Sequence, residues 1–139
     1  MTRSSARSTI ARLCLATVFA AAAVSAAAPA HAAPAPPARQ IVVLSNDNSG
    51  DTVHVSPGTT IVVSLKASTR TVWNAPESDT PTVVAPVVSL SLPNGDGLGV
   101  FVARAGGSAN LTAVSRCRPV PGQVCNFLAI LWRATVTVG

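Results

Sequence analysis

The sequence predicts an all-β antiparallel sandwich, and three observations carry that prediction. Beyond residue 40 the apolar residues recur with a period of two, as at Ile61, Val63 and Leu65 within Thr60–Lys66, which is the pattern of a half-buried strand. Dense turn-forming stretches at 46–51, 56–59 and 94–99 break the alternation at short intervals, as between the strands of a sandwich or barrel. No stretch of this region holds a helical period beyond two turns.

Composition sets the outer bounds. A chain of 139 residues with 48% apolar and 11% charged residues has room for one domain and one sizeable core. Its charge content falls well below the globular norm of about 25%, which excludes a disordered acidic or basic tail.

The first segment reads as a transport signal. Arg3, Arg7 and Arg12 precede an apolar run from Leu13 to Ala28, and Ala30-His31-Ala32 supplies the small-x-small pattern of a cleavage site. The run is short and Ala-rich for a bilayer span, and Pro29 ends it. Cleavage after Ala32 predicts a signal peptide at 1–32, a Pro/Ala-rich tether at 33–39 and a sandwich domain at 40–139 of a secreted protein, with no membrane span after cleavage. The same cut lowers the net charge from +5 to +2, so a nucleic-acid partner loses its support. It also leaves Cys117 and Cys125 as the only cysteines. In an oxidising compartment that even pair predicts a disulfide.

Taken in order, the elements are these. Ile41–Leu44 is a first strand, and Thr52–Val55 follows the Asn/Asp-rich turn. Pro57-Gly58 suits the middle of a type II turn ahead of Thr60–Lys66. Thr71-Val72-Trp73 is a short strand that turns Trp73 inward, and Pro76, Pro81 and Pro86 confine their stretch to loops and sheet edges. Val87–Leu92 sets Val88, Leu90 and Leu92 together on one face. Asn94–Gly99 is the strongest loop signal. Val100–Ala105 and Ala109–Arg116 read as a hairpin through Gly106-Gly107. The last strand, Phe127–Val138, carries Leu128, Ile130, Trp132, Ala134, Val136 and Val138 on one face.

The run from Phe101 to Ala113, the segment Trp132–Val138 and the earlier Gly50–Leu65 resemble the strands of bacterial Ig-like domains, over about half of the mature chain. The same segments resemble chagasin-type cysteine-protease inhibitors, which are secreted or lysosome-directed Ig-like sandwiches. That resemblance implies an Ig-like sandwich with three contact loops at one end. Ala67-Ser68-Thr69-Arg70-Thr71 stands where these inhibitors carry Asn-Pro-Thr-Thr-Gly, with the Thr pair separated by Arg70 and without the Pro and Gly. Gly95-Asp96-Gly97-Leu98-Gly99 stands at their Gly-rich loop. Arg118-Pro119-Val120 keeps the Arg and Pro of their Arg-Pro-Trp. The resemblance therefore implies Thr69, Arg70, Thr71, Gly97, Gly99, Arg118 and Pro119 as contact residues and a papain-type protease as a partner.

Other chemistry has less to stand on. A nucleophilic hydrolase needs a base beside its Ser or Cys, and the mature chain holds one histidine, His54, between Val53 and Val55 on a strand expected to face solvent. Asp47, Asp51, Glu77, Asp79 and Asp96 all lie in expected loops and read as solvated charges. Asp47, Asn48 and Asp51 lack the spacing of a calcium loop and suit a turn. Cys117 and Cys125 have no further ligands for zinc, and no helix follows the Gly-rich loop to bind phosphate. Asn110-Leu111-Thr112 matches the glycosylation pattern within a strand, and Trp73 and Trp132 read as core anchors. Arg116 and Arg118 flank Cys117 on a stapled loop, which loses little entropy on binding. The expected function is a secreted, non-enzymatic Ig-like module without cofactor or metal. It would bind an extracellular protein or envelope component through loops at one end, with inhibition of papain-type proteases as the alternative.

Overall fold

The computed structural model describes residues 38–139. The expected signal peptide and most of the tether lie outside the described residues. Nine strands follow: β1 (Ile41–Leu44), β2 (Thr52–Val55), β3 (Thr60–Leu65), β4 (Thr71–Trp73), β5 (Glu77–Ser78), β6 (Val84–Ser91), β7 (Gly97–Ala103), β8 (Gly107–Cys117) and β9 (Ala129–Val138). They form two sheets, ordered β1-β3-β7-β6 and β2-β9-β8-β4, with β5 also pairing to β8. The fold is an all-β sandwich.

Most neighbours are antiparallel, but β1 pairs with β3 and β2 with β9 in parallel. The short connection between β1 and β2 explains both pairs. It is a single 3-10 turn, Asn46–Asn48, that carries the chain from one sheet to the other instead of closing a hairpin. Asn48 Oδ1 accepts the Ser45 N–H at 2.8 Å, and Asn48 Nδ2 donates to Asp51 Oδ2 at 3.0 Å. The Asn/Asp cluster thus uses its side chains to close this turn.

Alternation on both layers builds the core. Ile61, Val63, Leu65 and Phe101 from the first sheet meet Leu111, Trp132, Ala134 and Val136 from the second, all buried. Trp73 and Trp132 are core anchors as the sequence predicts, at 6% and 1% exposure.

Four expectations are corrected. β7 and β8 do not form a hairpin, because β7 lies in the first sheet and β8 in the second. The 104–106 segment crosses between the layers, so Phe101 and Leu111 enter the core from opposite sheets. Period-two alternation marks buried faces but cannot tell a paired neighbour from a facing one. Gly97 and Gly99 belong to β7 rather than to a loop. On β6, Val88 and Leu90 are 40% and 46% exposed, because the strand is a sheet edge bulged between Pro86 and Val88. On β9 the buried face stops at Trp132, whose indole Nε1 donates to the Ser45 carbonyl at 2.9 Å and closes the core there. Leu128 and Ile130 lie beyond it, 72% and 61% exposed.

Candidate functional site

Three loops gather at the end where β3 leaves the core, and each is tied to the next. The first follows β3. Ser68 and Thr71 close it through a Ser68 N–H donated to Thr71 Oγ1 at 2.9 Å. Asn46 brackets Lys66, accepting its N–H at 2.8 Å and donating to its carbonyl at 3.0 Å, and Trp73 Nε1 donates to the same carbonyl at 3.0 Å.

The second loop is the turn Leu92–Asp96, closed by the Gly95 N–H to the Leu92 carbonyl at 2.9 Å. Gly95 adopts φ +95°, and a Cβ there would come within 2.9 Å of both Arg118 Nη2 and the Thr71 carbonyl. Only glycine permits that close approach of the three loops. Asp96 pins the second loop to the first. One carboxylate oxygen accepts the Ala67 N–H at 2.8 Å, and the other accepts Lys66 Nζ at 2.8 Å and Asn94 Nδ2 at 3.1 Å.

The third loop begins at Cys117 and is stapled by the Cys117–Cys125 disulfide, with the two Cα atoms 5.7 Å apart. Its first residue past the strand, Arg118, holds both other loops. The Arg118 N–H donates to the Arg70 carbonyl at 2.9 Å, and its Nη2 donates to the Pro93 carbonyl at 3.2 Å.

The sequence-predicted residues divide on this frame. Thr69, Arg70, Arg116 and Pro119 are exposed at the loop end, while Thr71 is half-buried and paired with Cys117. Arg118 is half-buried and turned toward Pro93, a clamp between loops, so the outward cations here are Arg70 and Arg116. Gly97 and Gly99 are corrected as contact residues, since both are buried inside β7. A Cβ at Gly97 would lie 3.0 Å from Trp73 Cβ, and one at Gly99 would lie 2.5 Å from Phe101 Cε2. Gly97 lets β7 pack against Trp73 of β4, and Gly99 leaves room for the Phe101 ring of its own strand and for Pro76. His54 is exposed on β2.

Two features of the site escaped sequence reasoning. Asp96 reads as a solvated loop charge, yet it is 7% exposed, and its partners at 66 and 67 are too distant in sequence to leave a local signal. The second feature is an apolar rim. Val124, Phe127, Leu128, Ile130 and Leu131 are 90%, 106%, 72%, 61% and 58% exposed, all within or just after the stapled loop. Leu128 and Ile130 continue the alternation of the core face, and only the early end of the opposing layer reveals that they are left uncovered. Leu128 and Ile130 line a cleft of about 330 Å³ with Thr71, Ser115, Asn126, Cys117, Arg70 and Arg116.

The Lys66 ammonium, and after it the Ala67 N–H, hold the Asp96 carboxyl below the usual carboxylate range against the opposing effect of burial. A depressed folded-state pKa gives stability that is present above the unfolded pKa and lost as pH falls through the folded one. The tie between the first two loops is therefore expected to weaken only at pH values below the ordinary Asp range. Hydrogen exchange at the Ala67 amide checks this. Wild type should lose protection there on acidification, whereas Asp96→Ala, which removes the acceptor, should show low protection at neutral pH and little further change.

No protein-family model matches the sequence, and no curated protein matches it. Among solved structures the chain is similar to the cysteine protease inhibitor EhICP2 from Entamoeba histolytica, with TM-score 0.52 and 16% identity, covering 75% of this chain and 100% of that one. It is also similar to the solution structure of amebosin, with TM-score 0.43 and 17% identity, covering 73% of this chain and 100% of that one. The fold and its gathered loops define an Ig-like β-sandwich. Its architecture is the one seen in the Entamoeba inhibitor.

Proposed function

We propose that the protein is a secreted, non-enzymatic binding module that docks another protein with the three loops at one end of the sandwich. The observation that carries this reading is the mutual tying of those loops through Asp96, Gly95 and Arg118. Loops held by a rigid scaffold present a preorganised surface, which lowers the entropic cost of binding. Secretion is supported by the signal-like N-terminal sequence and by a disulfide that needs an oxidising compartment. An extracellular protein or envelope component is the partner class that fits both.

One observation favours a second, more specific reading, inhibition of a papain-type cysteine protease. The chain shares its fold with a protein described as a cysteine protease inhibitor, across that protein's whole length. Titration of papain with the mature protein separates the two. Stoichiometric inhibition that is lost in an Arg70→Glu variant would establish the inhibitor reading. Full papain activity at micromolar protein would leave the general binding module.

A further inference from the structure

Strand edges in this sandwich are managed in different ways. The β6 edge carries Pro86 and a bulge, devices that block pairing with another chain. The β4/β5 flank is stitched to β6, where Ser91 Oγ donates to the Trp73 carbonyl at 2.6 Å and Ser89 Oγ to the Pro76 carbonyl. β1 and β2 are edge strands of four residues each. β9 is different. Its partner β2 pairs only with Thr135–Val138, and the last backbone hydrogen bond on that side is the Gly50 N–H to the Arg133 carbonyl at 2.7 Å.

Strand geometry then fixes what the rest of that edge presents. The N–H and C=O of one residue point to the same side of a strand, and the side alternates along the chain. Arg133 and Thr135 bond toward β2, so Leu131 and Ala129 aim their backbone groups the same way. Among the described residues no strand meets them there. The two faces beside this open edge differ in chemistry. Ala129 and Leu131 share a face with exposed Arg116, which stands opposite Ala129 on β8, and with exposed Arg133, whose Nε donates to Asn110 Oδ1 on β8 at 3.1 Å and leaves its other N–H groups to a ligand. Leu128 and Ile130 form the other face, exposed and apolar.

We propose that the open edge of β9 at Ala129–Leu131, adjoining the loop surface, captures an extended acidic polypeptide segment by strand addition. Carboxylates of the segment face Arg116 and Arg133, and its alternate apolar side chains cover Leu128 and Ile130. Charge decides among occupants. A second copy pairing through the same edge would bring two Arg116 and two Arg133 side chains onto one face, and like charges placed across strands repel. A lipid surface would cover the apolar rim but leave the Ala129 and Leu131 backbone groups without partners, which hydrocarbon does not tolerate. An extended acidic chain satisfies the amides, the apolar face and the cations together.

An octapeptide alternating Glu and Val, acetylated and amidated, is the probe, with its Lys/Val counterpart as control. Amide shifts and hydrogen exchange of the isotopically labelled mature protein report the site. The Glu/Val peptide is expected to protect Ala129 and Leu131, with affinity that falls as salt rises, and to bind at least about tenfold more tightly than the Lys/Val peptide. Leu131→Pro, which removes an edge donor, should abolish the protection. Arg116→Glu, on an exposed side chain, should shift the preference toward the Lys/Val peptide with the melting temperature retained. Equal binding of the two peptides, or none at millimolar concentration, overturns the proposal. So does a dimer in sedimentation that buries these amides, or protection by phosphatidylglycerol vesicles but not by the peptide. None of those results touches the loop-end reading, which is measured on Arg70 and on partner binding.

Discussion

Replacing Trp132 by Ala is expected to cost about 3–5 kcal/mol and to lower Tm by on the order of 20 °C. The indole is 1% exposed and stands opposite Ala113 on β8, with Ala134 two residues along the same face. Small neighbours have little side chain with which to collapse into the space, so most of the cavity would persist. The substitution also removes the donor to the Ser45 carbonyl, the hydrogen bond that closes the core beneath the apolar rim. Trp132→Phe separates the two contributions. It keeps much of the volume and is expected to lose the smaller share, with about 1 kcal/mol from the unpaired carbonyl. Urea unfolding of the three proteins measures both, and a Trp132→Ala loss under about 1 kcal/mol would show that this residue does not anchor the core.

Removing the disulfide is the second large effect. Cys117 and Cys125 are eight apart in sequence and close a ring worth roughly 2.5 kcal/mol on the chain-entropy model, so the double Ser variant should lose about 1–3 kcal/mol. The sandwich itself should survive, because neither cysteine belongs to the buried core. The loss is expected to be local as well as global. Without the staple, the loop holding Arg118 against Arg70 and Pro93 gains freedom, so partner affinity should fall further than stability alone accounts for. Circular dichroism, urea titration and thiol counting of the unreduced, denatured protein check the prediction. Two free thiols in the wild type would remove its basis.

The strands themselves were legible in the sequence, because a half-buried strand writes its period into the residues. Ile41–Leu44, Thr52–Val55 and Thr71–Trp73 have the same bounds in the structure. Layer assignment was less legible. The connection after Ala103 looks like a hairpin turn, yet it carries the chain across the sandwich, and nothing local distinguishes the two. At the loop end, the resemblance located the three segments correctly as neighbours in the fold. The chemistry that joins them was hidden, because Asp96 and Arg118 act on partners 25 to 48 residues away. Gly97 and Gly99 were visible as glycines, but their role is close packing against Trp73 and Phe101. The exposure of Leu128 and Ile130 depends on where the opposite layer ends, which is a property of the whole fold.

Hydrogen exchange of the protein, free and in complex with a protein partner recovered by pull-down, tests the loop-end claim most directly. The account predicts new protection concentrated at residues 67–71, 92–96 and 117–128, with the outer face of the β1-β3-β7-β6 sheet unchanged. Protection confined to the sheet faces, with all three loops exchanging as in the free protein, would contradict it.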